Sequence, residues 1–131
     1  MSTPTGYSGT PLPLKLGVKP GSAVLLDGSP PALGLSGHTK VRLAAYDVIL
    51  LFAADRARLV RRWSPLEARL TTAGRLWVCW PKRSSGLQTD LSEGDVREYG
   101  LAAGLVDVKI CAVDEVWSGL AFVRRLRDRP L

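Results

Sequence analysis

Apolar residues gather along the chain in compact runs, and the company of each run sorts it into strand or helix. Residues 23–26 form a short apolar run closed by Asp27-Gly28, which predicts a first strand buried on both faces. Residues 47–53 (DVILLFA) are continuously apolar after the leading aspartate and predict the central strand. Residues 76–80 (LWVCW) predict a third, halted by Pro81, which has no N–H to offer a ladder. Residues 106–113 (VDVKICAV) alternate over part of their length, and 120–126 follow after the turn Asp114-Glu115-Val116-Trp117-Ser118-Gly119, so two more strands are expected.

Other stretches carry helical spacing. Over residues 55–70, Leu59, Trp63, Leu66 and Leu70 recur on one face, while Arg58, Arg61, Arg62 and Arg69 fall away from it. Ser64-Pro65-Leu66-Glu67 has the pattern of a capping box with proline at the first helical position, which predicts a break and restart at Ser64, with Gly74 ending the second piece. Ser92 is a good N-cap, Asp95 suits the first turn, and Gly104 provides a stop. Leu12, Leu14 and Leu16 before Gly17 suggest a short helix, preceded by an extended arm over residues 1–11. Between residues 29 and 45 the signal is weak: Pro30-Pro31, Gly34 and Gly37 leave room for a cramped crossover and a short strand at 40–43. The order from residue 47 is strand, helix, strand, helix, strand, strand. It predicts one α/β domain whose mostly parallel sheet has helices on both faces and ends in an antiparallel hairpin. The first-strand edge of that sheet is expected to be open and in need of a partner chain, so a homodimer is one expectation.

Composition narrows the class. At 131 residues the chain suits one domain able to bury roughly 68% of its unfolded surface. A hydrophobic share of 46% and a charged share of 23% argue against disorder. No apolar run nears the roughly 18 residues of a membrane span, and the N-terminus has neither basic start nor apolar core for export, so the protein is expected in the cytoplasm with no membrane partner. Cys79 and Cys111 sit inside apolar runs as small buried thiols; with His38 as the single histidine, neither a disulfide framework nor a metal site is expected. The net charge of +6 gathers in Arg56, Arg58, Arg61 and Arg62 and in Arg124, Arg125, Arg127 and Arg129. These are read first as a solvated helix face and a basic tail, and second as a nucleic-acid footprint.

The chain resembles a family of small bacterial proteins known as a domain of unknown function. The likeness lies at residues 7–12 (YSGTPL), at Trp80-Pro81-Lys82 and at residues 111–120 (CAVDEVWSGL), and implies a relationship without an activity. More remotely it resembles class I methyltransferases that use S-adenosylmethionine, through residues 16–26, 47–51 and 70–78 and the terminal hairpin. That resemblance implies a Rossmann-like, truncated methyltransferase-like fold. Members of that class place a glycine-rich turn after the first strand and an acidic residue after the second. Here Asp27-Gly28 is followed by Ser29-Pro30-Pro31, and no acidic residue occurs from Gly28 to Tyr46, so S-adenosylmethionine is not expected as a cofactor.

Ligands of open parallel sheets bind beyond the carboxyl ends of the strands. The expected rim gathers Asp27, Lys82, Arg83, Asp114, Glu115, Trp117 and Ser118, with Tyr7 of the arm as a lid. Lys82 and Arg83 could hold an anion, and Asp114 with Glu115 beside Trp117 could act as base or cation site. The plainer readings are a solvated loop for the first pair and a turn cap for Asp114; His38 reads as a bystander, and Trp63 and Trp77 as core. No catalytic set is identified. The expected function is a non-catalytic binding or regulatory module for a protein partner or a small anionic ligand. A minimal methyltransferase completed by dimerisation and nucleic-acid binding through Arg58, Arg61, Arg62, Arg124, Arg125 and Arg127 are the alternatives.

Overall fold

Three α-helices and one five-stranded sheet make up the described residues, 10–129, of a computed structural model. The elements are α1 (Leu12–Leu16), β1 (Val24–Asp27), β2 (Tyr46–Phe52), α2 (Arg56–Glu67), β3 (Leu70–Pro81), α3 (Glu93–Ala102), β4 (Leu105–Ala112) and β5 (Trp117–Arg124). The sheet order is β1-β2-β3-β5-β4. β1, β2 and β3 run parallel, and β5 turns back to pair antiparallel with both β3 and β4. The architecture is mixed α/β with an open sheet.

The apolar runs became the core of that sheet. β2 is buried at every position but Asp47, as a strand flanked by neighbours and covered on both faces must be. One apolar cluster joins Leu59, Trp63 and Leu66 of α2 and Val96 of α3 to Ile49, Leu51, Leu76, Val78 and Phe122. On the other face, Leu16 of α1 packs with Val48, Leu50, Trp77 and Ala121, and Leu33 and Leu35 of the loop after β1 lie against them. The two long helices thus share a face, and the second face is covered by α1 and loop. Crossovers of the usual right hand that step the same way along a sheet must lie on one side of it. α1 is pinned there by hydrogen bonds: the Trp77 indole N–H donates to Leu16 O at 3.0 Å, and the buried Lys15 donates from Nζ to Ala112 O at 2.6 Å.

Several expectations are corrected. α2 does not restart at Ser64 but runs through Pro65. The proline removes a single N–H near the end of the helix, Ala68 still donates to Ser64 O at 3.1 Å, and a restart would turn Trp63 and Leu66 off their shared buried face. Leu70 belongs to β3, not to the helix, because β3 begins there by pairing with Tyr46. Gly74 is no helix stop. It lies in a bulge where β3 advances from Leu70 to Arg75 while β2 advances from Tyr46 to Val48. A Cβ at Gly74 would sit 2.7 Å from Thr71 Oγ1 and 3.0 Å from Asp47 O, so the close approach requires glycine. Residues 40–43 form no strand. The Tyr46 hydroxyl takes the N–H groups of Arg42 (2.9 Å) and Leu43 (3.2 Å) that a ladder would have used. The β1 edge is also not bare, since His38 forms a parallel bridge to Leu25, with Leu26 N donating to His38 O at 2.7 Å and His38 N to Val24 O at 2.9 Å. The open edge is β4, where Val108 and Ile110 are half exposed and the pairing slips between Asp107 and Lys109.

Candidate functional site

The carboxyl ends of β1, β2, β3 and β4 and the start of β5 share one rim, as the sheet directions require. Its residues are held by separate partners. Asp27 is drawn away by α2, whose Arg58 and Arg62 lie one helical turn apart and so face the same neighbour. Arg58 Nη2 donates to Asp27 Oδ2 at 2.9 Å, and Arg62 spans the carboxylate with Nε to Oδ2 at 3.1 Å and Nη2 to Oδ1 at 3.4 Å. Arg58 Nε is held by Phe52 O at 2.8 Å. The guanidinium therefore lies across the gap between β1 and β2, against Gly28 (φ 75°), where a Cβ would come within 2.5 Å of Nη2. That gap is where an open parallel sheet offers a ligand crevice, and it is filled by an ion-pair cluster.

The remaining rim residues sort by burden. Asp114 caps its own turn, its Oδ1 accepting from Val116 N at 2.8 Å and Trp117 N at 2.7 Å. Trp117 is the first residue of β5, pairs with Pro81, and sets its ring edge-on to Phe52 with centroids 5.2 Å apart. Ser118 is a strand residue opposite Trp80 and Ala112. All three have roles in the fold. Glu115 and Arg83 are exposed and Lys82 half-buried, with no ion pair among the described residues. Beside them lies an open cleft of about 620 Å³ lined by Asp55, Arg83, Leu87, Gln88, Thr89 and Asp90. The α2 N-terminus that faces it is already satisfied, Asp55 accepting from Arg58 N at 2.9 Å and Asp90 from Arg56 N at 2.8 Å. Tyr7 falls outside the described residues.

Several of the arginines that read as solvated donate to protein acceptors. Beyond Arg58 and Arg62, Arg124 donates to Glu67 O (3.1 Å) at the C-terminal end of α2 and to Leu70 O (2.9 Å) at the start of β3, and Arg125 to Gly104 O (3.3 Å) just past α3. Carbonyls at helix ends carry the negative pole, so cations belong there. Arg61 and Arg127 are exposed.

His38 is not a bystander. Its Nδ1 lies 2.8 Å from the Tyr46 hydroxyl. That oxygen already accepts two backbone N–H groups, so its proton points to Nδ1 and the ring carries its own proton on Nε2. Tyr46, fully buried, went unmarked in the sequence because a tyrosine beside an apolar run reads as core. Cys79 and Cys111 are free thiols that each pair with Gly119 from opposite sides. Two strand spacings of about 4.8 Å separate their backbones, beyond the reach of about 7 Å that a disulfide allows. Burial pushes the Cys79 thiol well up from its ordinary value. Burial raises Cys111 too, against the lowering pull of Lys15 and Lys109. Among the described residues no three His, Cys, Asp or Glu side chains converge as a metal set, and no helix is long and apolar enough to cross a membrane.

Compared with known proteins, the chain matches no family model and no curated protein.

Proposed function

We propose that the chain is a non-catalytic binding or regulatory module on a Rossmann-like, methyltransferase-like scaffold. It takes a protein partner or a small anionic ligand on the exposed part of the rim, at Lys82, Arg83 and Glu115 beside the 83–90 cleft. The observation that carries this reading is the Arg58 guanidinium seated on Gly28 and tied to Asp27 and Phe52 O. A nucleotide cofactor needs that volume and those backbone groups. The scaffold reading is supported by three parallel strands followed by a reversed β5, and by the single bridge of His38 on the far side of β1, a remnant where a further strand would pair. Candidates for chemistry on the rim are occupied elsewhere: Asp114 in its turn, Asp27 in its ion pairs.

Calorimetric titration with S-adenosylmethionine should give no specific heat. A micromolar isotherm, with methyl transfer lost in Asp27→Ala, would replace this reading with that of a minimal transferase.

A further inference from the structure

At the opposite end of the sheet, where β1 and β2 begin, a second pocket of about 350 Å³ is lined by Gly17, Lys19, Ser22, Asp47, Ala73 and Arg75. The bulge in β3 builds it. Three extra residues between Leu70 and Arg75 swing Ala73 and Arg75 beside Asp47, and bulges commonly re-aim side chains in this way. The positive φ of Gly17 (79°) ends α1 and lets the chain turn over Arg75, whose Nη1 would lie 3.4 Å from a Cβ there.

The positive charges in this pocket are not spent on protein partners, as those of many other arginines are. Arg58, Arg62, Arg69, Arg97, Arg124, Arg125 and Arg129 all donate to protein acceptors. The Arg75 guanidinium and the Lys19 ammonium have no acceptor among the described residues, although Asp47 lines the same pocket, and no ion pair within 4 Å joins them to it. Asp47 spends one oxygen on Ala23 N at 2.8 Å and keeps the other for a donor. The Ser22 hydroxyl accepts from Lys19 N at 3.0 Å and retains its proton to donate. Two cations, one hydroxyl donor and one carboxylate oxygen thus face a space the size of a small metabolite.

We propose that this pocket binds a small organic oxyanion, a carboxylate or phosphate, that also bears a hydroxyl or ammonium donor. Arg75 and Lys19 take the oxyanion, Arg75 through its planar fork, and Asp47 takes the donor. The requirement for a donor sets this pocket apart from a bare anion site, because an anion without one meets the Asp47 carboxylate as a like charge. The proposal is independent of the rim, which lies at the other end of the strands.

The test is amide-shift NMR titration of the full chain at low ionic strength with acetate, glycolate and glycerol 3-phosphate. Glycolate or glycerol 3-phosphate should saturate shifts at Gly17, Ser22 and Arg75 at least threefold more tightly than acetate, and whichever binds tighter identifies the oxyanion. Arg75→Met should weaken binding at least tenfold, and Lys19→Met, on an exposed turn, should weaken it severalfold even if Arg75→Met does not fold. Asp47→Asn, which keeps an acceptor for Ala23 N, should erase the preference over acetate, whereas Arg83→Met on the rim should change nothing. Shifts that never saturate, equal affinity for acetate and glycolate, or binding unchanged in Lys19→Met would overturn it.

Discussion

Gly100 of α3 lies directly on the ring of Phe122, and replacing it with alanine sets two effects of opposite sign against each other. Alanine in a helix interior gains up to about 1 kcal/mol over glycine. The new Cβ, however, would fall 2.5 Å from Phe122 Cδ1 and closer still to Cε1 and Cζ, where carbon atoms rest at about 3.5–4.0 Å. Something must move by about 1 Å or more. Phe122 cannot do so easily, since its backbone pairs with Leu76 and Asp107 and its ring stands edge-on to Trp63 at 5.4 Å, which in turn meets Tyr99 of the same helix at 5.3 Å. With both sides fixed, overpacking should cost about 3 kcal/mol, the upper end of its usual range. The net loss is then about 2 kcal/mol, near 8 °C in Tm at about 4 °C per kcal/mol for a domain of this size. Urea unfolding followed by tryptophan fluorescence should show a lower midpoint with an unchanged slope. Phe122→Leu alone leaves a void, yet combined with Gly100→Ala it makes room for the methyl, so the pair should couple favourably by about 1 kcal/mol. Wild-type stability in Gly100→Ala, or strict additivity in the double variant, would show that α3 is not seated on Phe122.

Three further outcomes follow from single contacts. Tyr46→Phe strips acceptors from Arg42 N and Leu43 N and the proton donor from His38 Nδ1; stability should fall by about 1–3 kcal/mol, and the amides of Arg42 and Leu43 should exchange faster with solvent, or the hydroxyl is not their partner. Asp27→Ala leaves two partly buried guanidinium groups without their carboxylate, costing about 2 kcal/mol; sulfate should then raise the Tm of the variant more than that of the wild type, and an equal rise would contradict the geometry. The buried Cys79 keeps its proton in the folded state after the unfolded chain has lost it near pH 8.5, so stability declines as pH climbs from there toward the raised folded value. In Cys79→Ala the decline should be shallower between pH 8.5 and 10 by chemical denaturation, and an identical slope would refute the attribution.

How far the sequence carried depended on the scale of the interaction. Strands and helices were legible wherever a hydrophobic period decided them, as at residues 47–53 and 92–104, because burial acts on every position of the run. Local turn chemistry was legible at Gly17, at the Ser92 N-cap and at Asp114, while the reciprocal bond from Asp95 that completes a capping box at Ser92 came only with the fold. The reading failed where a distant partner outweighed a local signal. Ser64-Pro65-Leu66-Glu67 has capping-box spelling, but the sheet holds Trp63 and Leu66 on one face and overrides it. Gly74 has the look of a helix stop, and only the crossing backbone of Asp47 reveals it as a bulge. Arg58 and Arg62 read as solvated because they leave the apolar stripe; nothing in the spacing tells that Asp27, more than thirty residues earlier, lies opposite them.

That last pairing also changes the reason for doubting a nucleotide site. From the sequence the doubt rested on Pro30-Pro31 and the missing acidic residue, both of which concern groups that are absent. In the fold the obstacle is a group that is present, and its strength can be weighed. Opening the β1–β2 gap means detaching Arg58 from Asp27 and Phe52 O. Charge-assisted bonds contribute about 1.5–3 kcal/mol each when buried, and with roughly a quarter of the arginine exposed (28%) a discounted total of about 3 kcal/mol is reasonable. The open form would then make up about 1% of the population, and any ligand selecting it would appear about a hundredfold weaker than its intrinsic affinity. A ligand with a phosphate or carboxylate could recover part of this by taking over Arg58 and Arg62, whereas a ligand without an anionic group would recover none of it. The latch therefore discriminates by charge, because only an anionic group can replace the Asp27 carboxylate on Arg58 and Arg62.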